Sequence, residues 1–250
     1  MDGEIYYNRG VAYHKKGLFD EAIADYTRAI EINPEDAEAY HNRGVAKAGK
    51  HEYQGAIEDY TAALRINPHF SEAYYNRGVA YSLLNRPDNA ISDFSSALTC
   101  DTDFVEAYYN RGLEYARLGE YEMAIADFSK AISLNPDYAA AYNNRGVIYA
   151  RRGMHEKAIE DYSRAFELDP SFSEALFNRG IEFSRLGHLE DAIADYTRAL
   201  EISPDNADIL YNRGLAYGKM GRPEAAIADY LLCLEKNPAY AEAHNNLGVE

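Results

Sequence analysis

The sequence repeats itself with a period of 34 residues, and this period constrains the fold more than any other feature. The tripeptide Asn-Arg-Gly begins at residues 8, 42, 76, 110, 144, 178 and 212. An eighth copy, Asn246-Leu247-Gly248, keeps the phase with Leu in place of Arg. The period predicts seven repeats, 3–36, 37–70, 71–104, 105–138, 139–172, 173–206 and 207–240, and a partial eighth, 241–250, as a short capping helix or a truncation stub. Periods of this length are typical of arrays of stacked supersecondary units.

Each repeat carries the pattern of two amphipathic helices joined by a short turn. Apolar residues recur at spacings of three and four over 72–84, a first helix, and over 121–134, a second helix. Six of the seven repeats then have a proline in the next turn, as in Asn135-Pro136, which cannot continue a helix. Pro87 and Pro223 instead stand where second helices begin. One helix pair cannot bury both of its apolar faces, so the pattern predicts an all-α fold of stacked antiparallel helix pairs.

Small residues indicate where the two helices of a repeat meet. With each repeat numbered from 1 to 34, glycine occupies position 8 throughout, as at Gly112. A glycine inside a helix costs about 1 kcal/mol relative to alanine, so its recurrence predicts close helix approach. The expected neighbour is the alanine at position 20, as at Ala124. Rings at positions 11 and 24, such as Tyr115 and Phe128, are expected to fill the remaining space as core residues.

Two charged positions are invariant among the seven repeats. Arginine at position 7 comprises Arg9, Arg43, Arg77, Arg111, Arg145, Arg179 and Arg213. Aspartate at position 23 comprises Asp25, Asp59, Asp93, Asp127, Asp161, Asp195 and Asp229. In a hairpin that turns near position 15 these positions lie at the same level, which predicts one ion pair within each repeat. The alternative is a row of arginines that binds an anionic partner.

Together these residues resemble the tetratricopeptide repeat, whose pattern is Trp-x2-Leu-Gly-x2-Tyr, then Ala-x3-Phe, then Pro. The first repeat reads Tyr6-x2-Arg9-Gly10-x2-Tyr13, then Ala22-x3-Tyr26, then Pro34. The match covers residues 3–240 and departs from the family at position 7, where Leu is usual. The resemblance implies a right-handed superhelix whose first helices line a concave groove. It also implies binding of a protein or peptide rather than catalysis.

The resemblance further implies that positions 2, 5, 6, 9, 12 and 13 of the first helices face the groove. Position 6 is always Asn, and an amide both donates and accepts, so a row of amides can pair with the backbone of an extended peptide. This arrangement is similar to the asparagine ladder of O-linked N-acetylglucosamine transferase. The alternative is that these asparagines cap or brace the neighbouring repeat.

The other groove positions are aromatic or polar at position 5 and aliphatic at position 9. Acidic residues prevail at position 2 and basic residues at position 13, about 16 Å apart along the helix. Both rows would also complement the helix dipole. The candidate peptide-binding residues are Asn8, Asn42, Asn76, Asn110, Asn144, Asn178, Asn212, Tyr75, Tyr109, Val79, Leu113, Arg117, Arg151 and Arg185.

Composition excludes several classes of function. The chain has 25 Lys and Arg residues and 41 Asp and Glu residues, which gives a net charge of −16. This negative charge argues against binding to nucleic acid or to an anionic membrane. The first residues carry no secretory signal and only Cys100 and Cys233 are present, so a cytoplasmic location is expected. The seven histidines show no metal-ligand spacing, and Cys233 stands at an alanine position. No catalytic residue, cofactor or metal is therefore predicted.

These observations predict a non-catalytic scaffold for protein–protein interaction that binds an extended segment in its groove. Leu231 and Leu232 stand at positions 25 and 26 of the seventh repeat, on its second helix. In the other repeats position 25 is Thr or Ser and position 26 is mostly polar. The resulting apolar patch suggests self-association through the ends of the array. The alternative function is therefore a regulatory or oligomerisation region of a longer, possibly enzymatic, protein.

Overall fold

A computed structural model describes residues 2–248, which form fifteen α-helices and no β-strand. The first helices of the repeats are α1 (Asp2–Lys15), α3 (Ala37–Gly49), α5 (Ser71–Leu83), α7 (Val105–Leu118), α9 (Ala139–Arg151), α11 (Ser173–Leu186) and α13 (Ala207–Lys219). The second helices are α2 (Phe19–Ile32), α4 (Tyr53–Ile66), α6 (Pro87–Cys100), α8 (Tyr121–Leu134), α10 (His155–Leu168), α12 (Leu189–Ile202) and α14 (Pro223–Lys236). Helix α15 (Ala241–Leu247) begins the eighth repeat, whose predicted residues 249 and 250 lie outside the described part.

Local chemistry sets the helix boundaries as the pattern predicted. Helix α8 spans the predicted residues, and α5 begins and ends one residue earlier than predicted. Pro87 and Pro223 are the first residues of α6 and α14, where the missing N–H costs no hydrogen bond. Between the two helices of every repeat, position 15 adopts a left-handed backbone. Glycine supplies it in five repeats, and His51 and Asn85 supply it in the other two.

The helix pairs stack within two compact units that divide between Leu134 and Asn135. Unit 1 contains α1–α8 and unit 2 contains α9–α15. Inside each unit a first helix contacts the first helices beside it, whereas second helices of the described chain show no comparable contact with one another. The first helices therefore line the inner, concave face of each unit. Each unit is thus a solenoid of stacked helix pairs.

The glycine at position 8 marks the closest approach of the two helices, but its neighbour differs from the prediction. A Cβ on Gly112 would lie 2.9 Å from Cε1 of Phe128, the ring at position 24. Ala124, the expected neighbour, is fully buried yet is not among the nearest atoms. Phe128 lies one turn after Ala124 on α8, and its ring is long enough to extend back over the glycine, whereas the methyl group of Ala124 is too short to do so. In repeats three, five and seven the carbonyl oxygen of the position 20 alanine also comes within 3.3 Å.

The predicted ion pairs between positions 7 and 23 are confirmed in all seven repeats. Each arginine donates two hydrogen bonds, from Nε and Nη2, to the two carboxylate oxygens of its aspartate, over 2.6–2.9 Å. The aspartate side chains are at least nine-tenths buried. Each guanidinium group is therefore paired with an aspartate of its own repeat, which supports a structural role for the arginine row.

The same arginines also join neighbouring repeats. In unit 1, Nη1 of Arg111 donates to Oγ of Ser95 in the preceding repeat over 2.9 Å, and in unit 2 Nη1 of Arg179 donates in the same way to Ser163. These hydroxyl groups belong to position 25, which is Thr or Ser in six repeats. Leu231 replaces it in the seventh repeat, where the next position 7 is Leu247 rather than arginine. The two ends of this inter-repeat bond therefore change together from polar to apolar.

Candidate peptide-binding site

In unit 1 the position 6 asparagines of the second, third and fourth repeats lie on the concave face, where each braces the preceding repeat. Nδ2 of Asn42 donates to the hydroxyl of Tyr7 over 2.8 Å, and Nδ2 of Asn110 donates to the hydroxyl of Tyr75 over 2.9 Å. Asn76 makes the equivalent 2.9 Å bond to a histidine ring nitrogen. The bracing role left open by the sequence is therefore present. One N–H and the carbonyl oxygen of Asn110 have no other partner among residues 2–248.

The asparagine row of unit 2 is less regular. Asn178 donates across repeats to Oδ1 of Asn143 over 3.2 Å. Asn212 instead donates to the carbonyl oxygen of Asp208 in its own helix over 2.8 Å, and Asn144 donates to the carbonyl oxygen of Ala140 over 2.9 Å. In unit 1, by comparison, Asn8 of the first repeat is exposed. For Asn212 the physical reason is in the sequence: position 5 of the preceding repeat is Phe177, whose ring has no polar atom to accept a hydrogen bond.

His41 occupies position 5 in the second repeat and meets Asn76. The amide of Asn76 donates, so Nε2 of His41 accepts and its proton resides on Nδ1. That Nδ1 is buried without a hydrogen-bond partner. Burial, the largest influence, lowers the pKa of His41, so the ring is neutral near pH 7.

The predicted tyrosines at position 5 belong more to the helix interface than to an open groove. Tyr75 is half-buried between the rings of Phe94 and Phe104, with ring centres 5.8 and 4.8 Å away. Tyr109 packs in the same way on Phe128, at 5.8 Å. Burial raises the pKa of Tyr75. Its hydroxyl is directed at the asparagine row, so Tyr75 positions Asn110 while its ring stabilises the core.

The aliphatic residues Val79 and Leu113 are half-buried on the concave face of unit 1, and Arg117 stands at its position 13. The Arg117 guanidinium is already engaged: it donates to Glu114 over 2.5 Å and to Oδ1 of Asn85 over 3.1 Å. Glu114 is buried at position 10, and it also accepts a hydrogen bond from Ser82. Sequence reasoning overlooked Glu114, although a carboxylate at position 10, which is alanine in most repeats, marks it.

In unit 2 several predicted groove residues converge on one pocket of about 330 Å³. Its lining includes Val147, Arg151, Asn178, Ile181, Glu182 and Arg185. These residues come from positions 6, 9, 10 and 13 of the fifth and sixth repeats, so an amide, an aliphatic floor and two guanidinium groups meet there. The pocket is open on the concave face, where both arginines are exposed.

The two arginines of this pocket differ in their partners. Nη1 of Arg185 donates to Oε1 of Glu182 over 2.7 Å, while the other oxygen of Glu182 lies 2.5 Å from Nδ1 of His155. Glu182 is only 2% exposed. Arg151 makes no hydrogen bond or ion pair with any residue of the described chain. The position 13 arginines are therefore not equivalent, and Arg151 is the one whose charge is uncompensated.

Other features of the described residues bear on the class of protein. Cys233 is fully buried and burial raises the pKa of its thiol, which makes it a poor nucleophile. Within residues 2–248 no group of three or more His, Cys, Asp or Glu side chains is arranged to hold a metal ion. No helix in that range is long and apolar enough to cross a membrane. Leu231 and Leu232 are exposed on α14, as predicted.

Stacked helix pairs that share one first-helix face define a helical-repeat protein of the solenoid class. Tetratricopeptide repeat models match residues 3–36, 71–104, 105–138, 139–172 and 207–240, and a second such model matches 25–58. A further model, described as a TPR repeat, matches 50–85 and 182–221. The chain belongs to the tetratricopeptide repeat family, whose fold is that of a protein–protein interaction scaffold. No curated protein sequence matches it.

Solved structures share this architecture. The chain is 27% identical to YrrB, described as a TPR protein with an unusual peptide-binding site, over 74% of this chain and 95% of that one, with a TM-score of 0.65. It is 32% identical to MamA over 66% and 96% of the two chains, with a TM-score of 0.63. The C-terminal part of a TPR repeat-containing protein from Cytophaga hutchinsonii shares the fold, with a TM-score of 0.80 at 18% identity over 96% and 99%.

Proposed function

We propose that this protein is a non-catalytic scaffold that binds an extended segment of a partner protein on the concave face of its first helices. The observation that carries the proposal is the pocket of unit 2, where an amide, an aliphatic floor and an unpaired guanidinium group meet on that face. Such a combination of apolar surface with a few polar groups is typical of ligand sites. We place the protein in the cytoplasm, where its two unpaired thiols would stay reduced.

In this proposal the asparagines have two roles at once. Each braced amide keeps one N–H for the neighbouring repeat, which fixes its orientation. The remaining N–H and the carbonyl oxygen of a residue such as Asn110 can then pair with the carbonyl and N–H of an extended backbone. Fixing the amide in advance lowers the entropy that binding would otherwise cost. The peptide-binding site named for YrrB is compatible with this use of the fold.

A photo-crosslinking experiment tests which face binds. A photoreactive amino acid replaces Val79, which lies on the concave face, or Met123, which is 48% exposed on the second helix α8 of the same unit. After irradiation in a lysate, mass spectrometry identifies the captured proteins and the linked residues. The proposal expects a partner segment joined at Val79 and not at Met123. A partner joined only at Met123 would overturn it.

A matched pair of variants separates the two roles of the asparagines. Asn110→Ala removes both the brace and the groups offered to a ligand, whereas Tyr75→Phe removes only the hydroxyl that accepts the brace. If the amide contacts the partner, Asn110→Ala weakens binding much more than Tyr75→Phe does, at similar thermal stability. Equal losses in the two variants would show that the asparagine acts only as a brace.

A further inference from the structure

The fifth repeat departs from its neighbours at three positions of the first helix. Position 2 is Ala140, where most repeats have an acidic residue, and position 5 is Asn143, where the others have a ring. Position 10 is Ile148, where the sixth repeat has Glu182. The first change removes a carboxylate from the far end of the helix. The third removes the carboxylate that would lie three residues before Arg151.

The change at position 10 explains why Arg151 is unpaired. In the sixth repeat Arg185 is held by Glu182 at the i,i+3 spacing of one helical turn. Ile148 stands at the same spacing from Arg151 and offers no acceptor; it is 2% exposed and belongs to the core. Arg151 therefore keeps all five of its N–H donors for solvent or a ligand.

The charged side chains that line the pocket have a net positive charge. Glu182 compensates Arg185, and its other carboxylate oxygen faces the ring of His155. Glu174, at position 2 of the sixth repeat, lies eleven residues and about 16 Å along α11 from Arg185, and it accepts a hydrogen bond from Asn143. The pocket thus carries one positive charge in a chain whose net charge is −16.

We propose that this pocket is the subsite for one Asp or Glu side chain of the partner segment, held by Arg151 with Arg185 beside it. This inference rests on the proposed function and adds the chemistry of the partner. A carboxylate matches the planar donors of a guanidinium group bidentately. Val147 and Ile181 line the same pocket, so an aliphatic side chain next to the carboxylate would be buried with it. The acidic surface elsewhere repels polyacidic sequences, so the preferred segment has a single acidic residue among aliphatic and basic ones.

A selection from a random-peptide display library tests the inference and does not require a known partner. The full-length protein, its Arg151→Gln variant and its Arg198→Gln variant are screened side by side. Arg198 is an exposed arginine of the second helix α12 in the same unit, so this control removes the same charge away from the pocket. Peptides selected by the wild type and by Arg198→Gln are expected to be enriched in Asp or Glu beside an aliphatic residue. The enrichment is expected to disappear with Arg151→Gln.

The affinity of one selected peptide then measures the contact. Fluorescence anisotropy compares that peptide with analogues in which the acidic residue is replaced by Asn or by phosphoserine. The Asn analogue is expected to bind the wild type about twofold to fivefold more weakly, and Arg151→Gln is expected to bind both peptides equally. The difference should shrink as salt is added, because the pair lies at the surface. Tighter binding of phosphoserine than of the carboxylate would overturn the assignment to Asp or Glu.

The outcomes distinguish this inference from the function on which it depends. Peptides that bind the concave face without acidic enrichment, or whose enrichment survives in Arg151→Gln, overturn the acidic subsite and leave the scaffold function intact. Failure to select any peptide, together with the absence of crosslinks at Val79, overturns both. Arg151→Gln should melt at the wild-type temperature, since Arg151 has no protein partner to lose.

Discussion

Removing one member of the Arg111–Asp127 pair should destabilise the fourth repeat strongly. Nε and Nη2 of Arg111 donate to the two carboxylate oxygens over 2.7 and 2.8 Å, and Nη1 donates to Ser95 over 2.9 Å. The side chains of Arg111 and Asp127 are 18% and 8% exposed. The paired carboxylate raises the pKa of the arginine, which remains charged at every relevant pH. Arg111→Ala therefore leaves a buried carboxylate without a cation.

The magnitude follows from this geometry. Loss of one partner of a buried ion pair typically costs about 3–5 kcal/mol, and Arg111→Ala should fall in that range. Asp127→Ala should cost somewhat less, about 2–4 kcal/mol, because the guanidinium keeps Ser95 and the face of Tyr108, whose ring centre lies 5.7 Å away. The double variant leaves no unpaired charge, so its cost should fall short of the sum by about 2 kcal/mol or more.

The assay is a double-mutant cycle measured by urea unfolding. Far-ultraviolet circular dichroism reports the global transition, and hydrogen exchange of α7 and α8 reports the fourth repeat itself, since repeat arrays can unfold locally. The control cycle uses Arg28 and Glu31, an exposed pair three residues apart, whose coupling should be close to the experimental error. Additive effects of Arg111→Ala and Asp127→Ala, within about 0.5 kcal/mol, would refute the reasoning.

Three further predictions test other features of the structure. Gly112→Ala should lower the free energy of unfolding by about 2 kcal/mol, because its Cβ would lie 2.9 Å from the Phe128 ring, and an unchanged urea midpoint would contradict this. His41→Tyr should reduce the loss of stability on acidification from about pH 7 to pH 5. The pKa of His41 is lowered in the folded state, so on acidification the unfolded chain binds a proton first, near the ordinary pKa of 6.5, and the free energy of unfolding decreases as the pH decreases. An equally steep pH profile in the variant would refute that assignment. In the folded protein a thiol reagent should modify the exposed Cys100 quickly and the buried Cys233 only after unfolding, as read by mass spectrometry; equal rates would contradict the burial.

The sequence alone determined the repeat length and the two helices of each repeat, and it predicted the pairing of arginine with aspartate. Each of these features recurs at the same spacing in seven repeats, and each depends on local chemistry or on one helix hairpin. Proline fixes helix boundaries through its ring, as at Pro87, and residues such as Arg111 and Asp127 lie at one level of a hairpin whatever surrounds it. The local periodicity was therefore sufficient to predict the family and the fold class.

Only the tertiary structure decided how the side chains of the concave face are used. Whether Asn110 is held by Tyr75, or Asn178 by Asn143, depends on which residue the preceding repeat places within reach. The ring rather than the alanine covers the glycine for the same reason, since reach across the interface is set by side-chain length and direction. Arg151 stands in the same row as Arg185, and the row itself is visible in the sequence. Its uncompensated charge becomes apparent only when the partners of every neighbouring side chain are known.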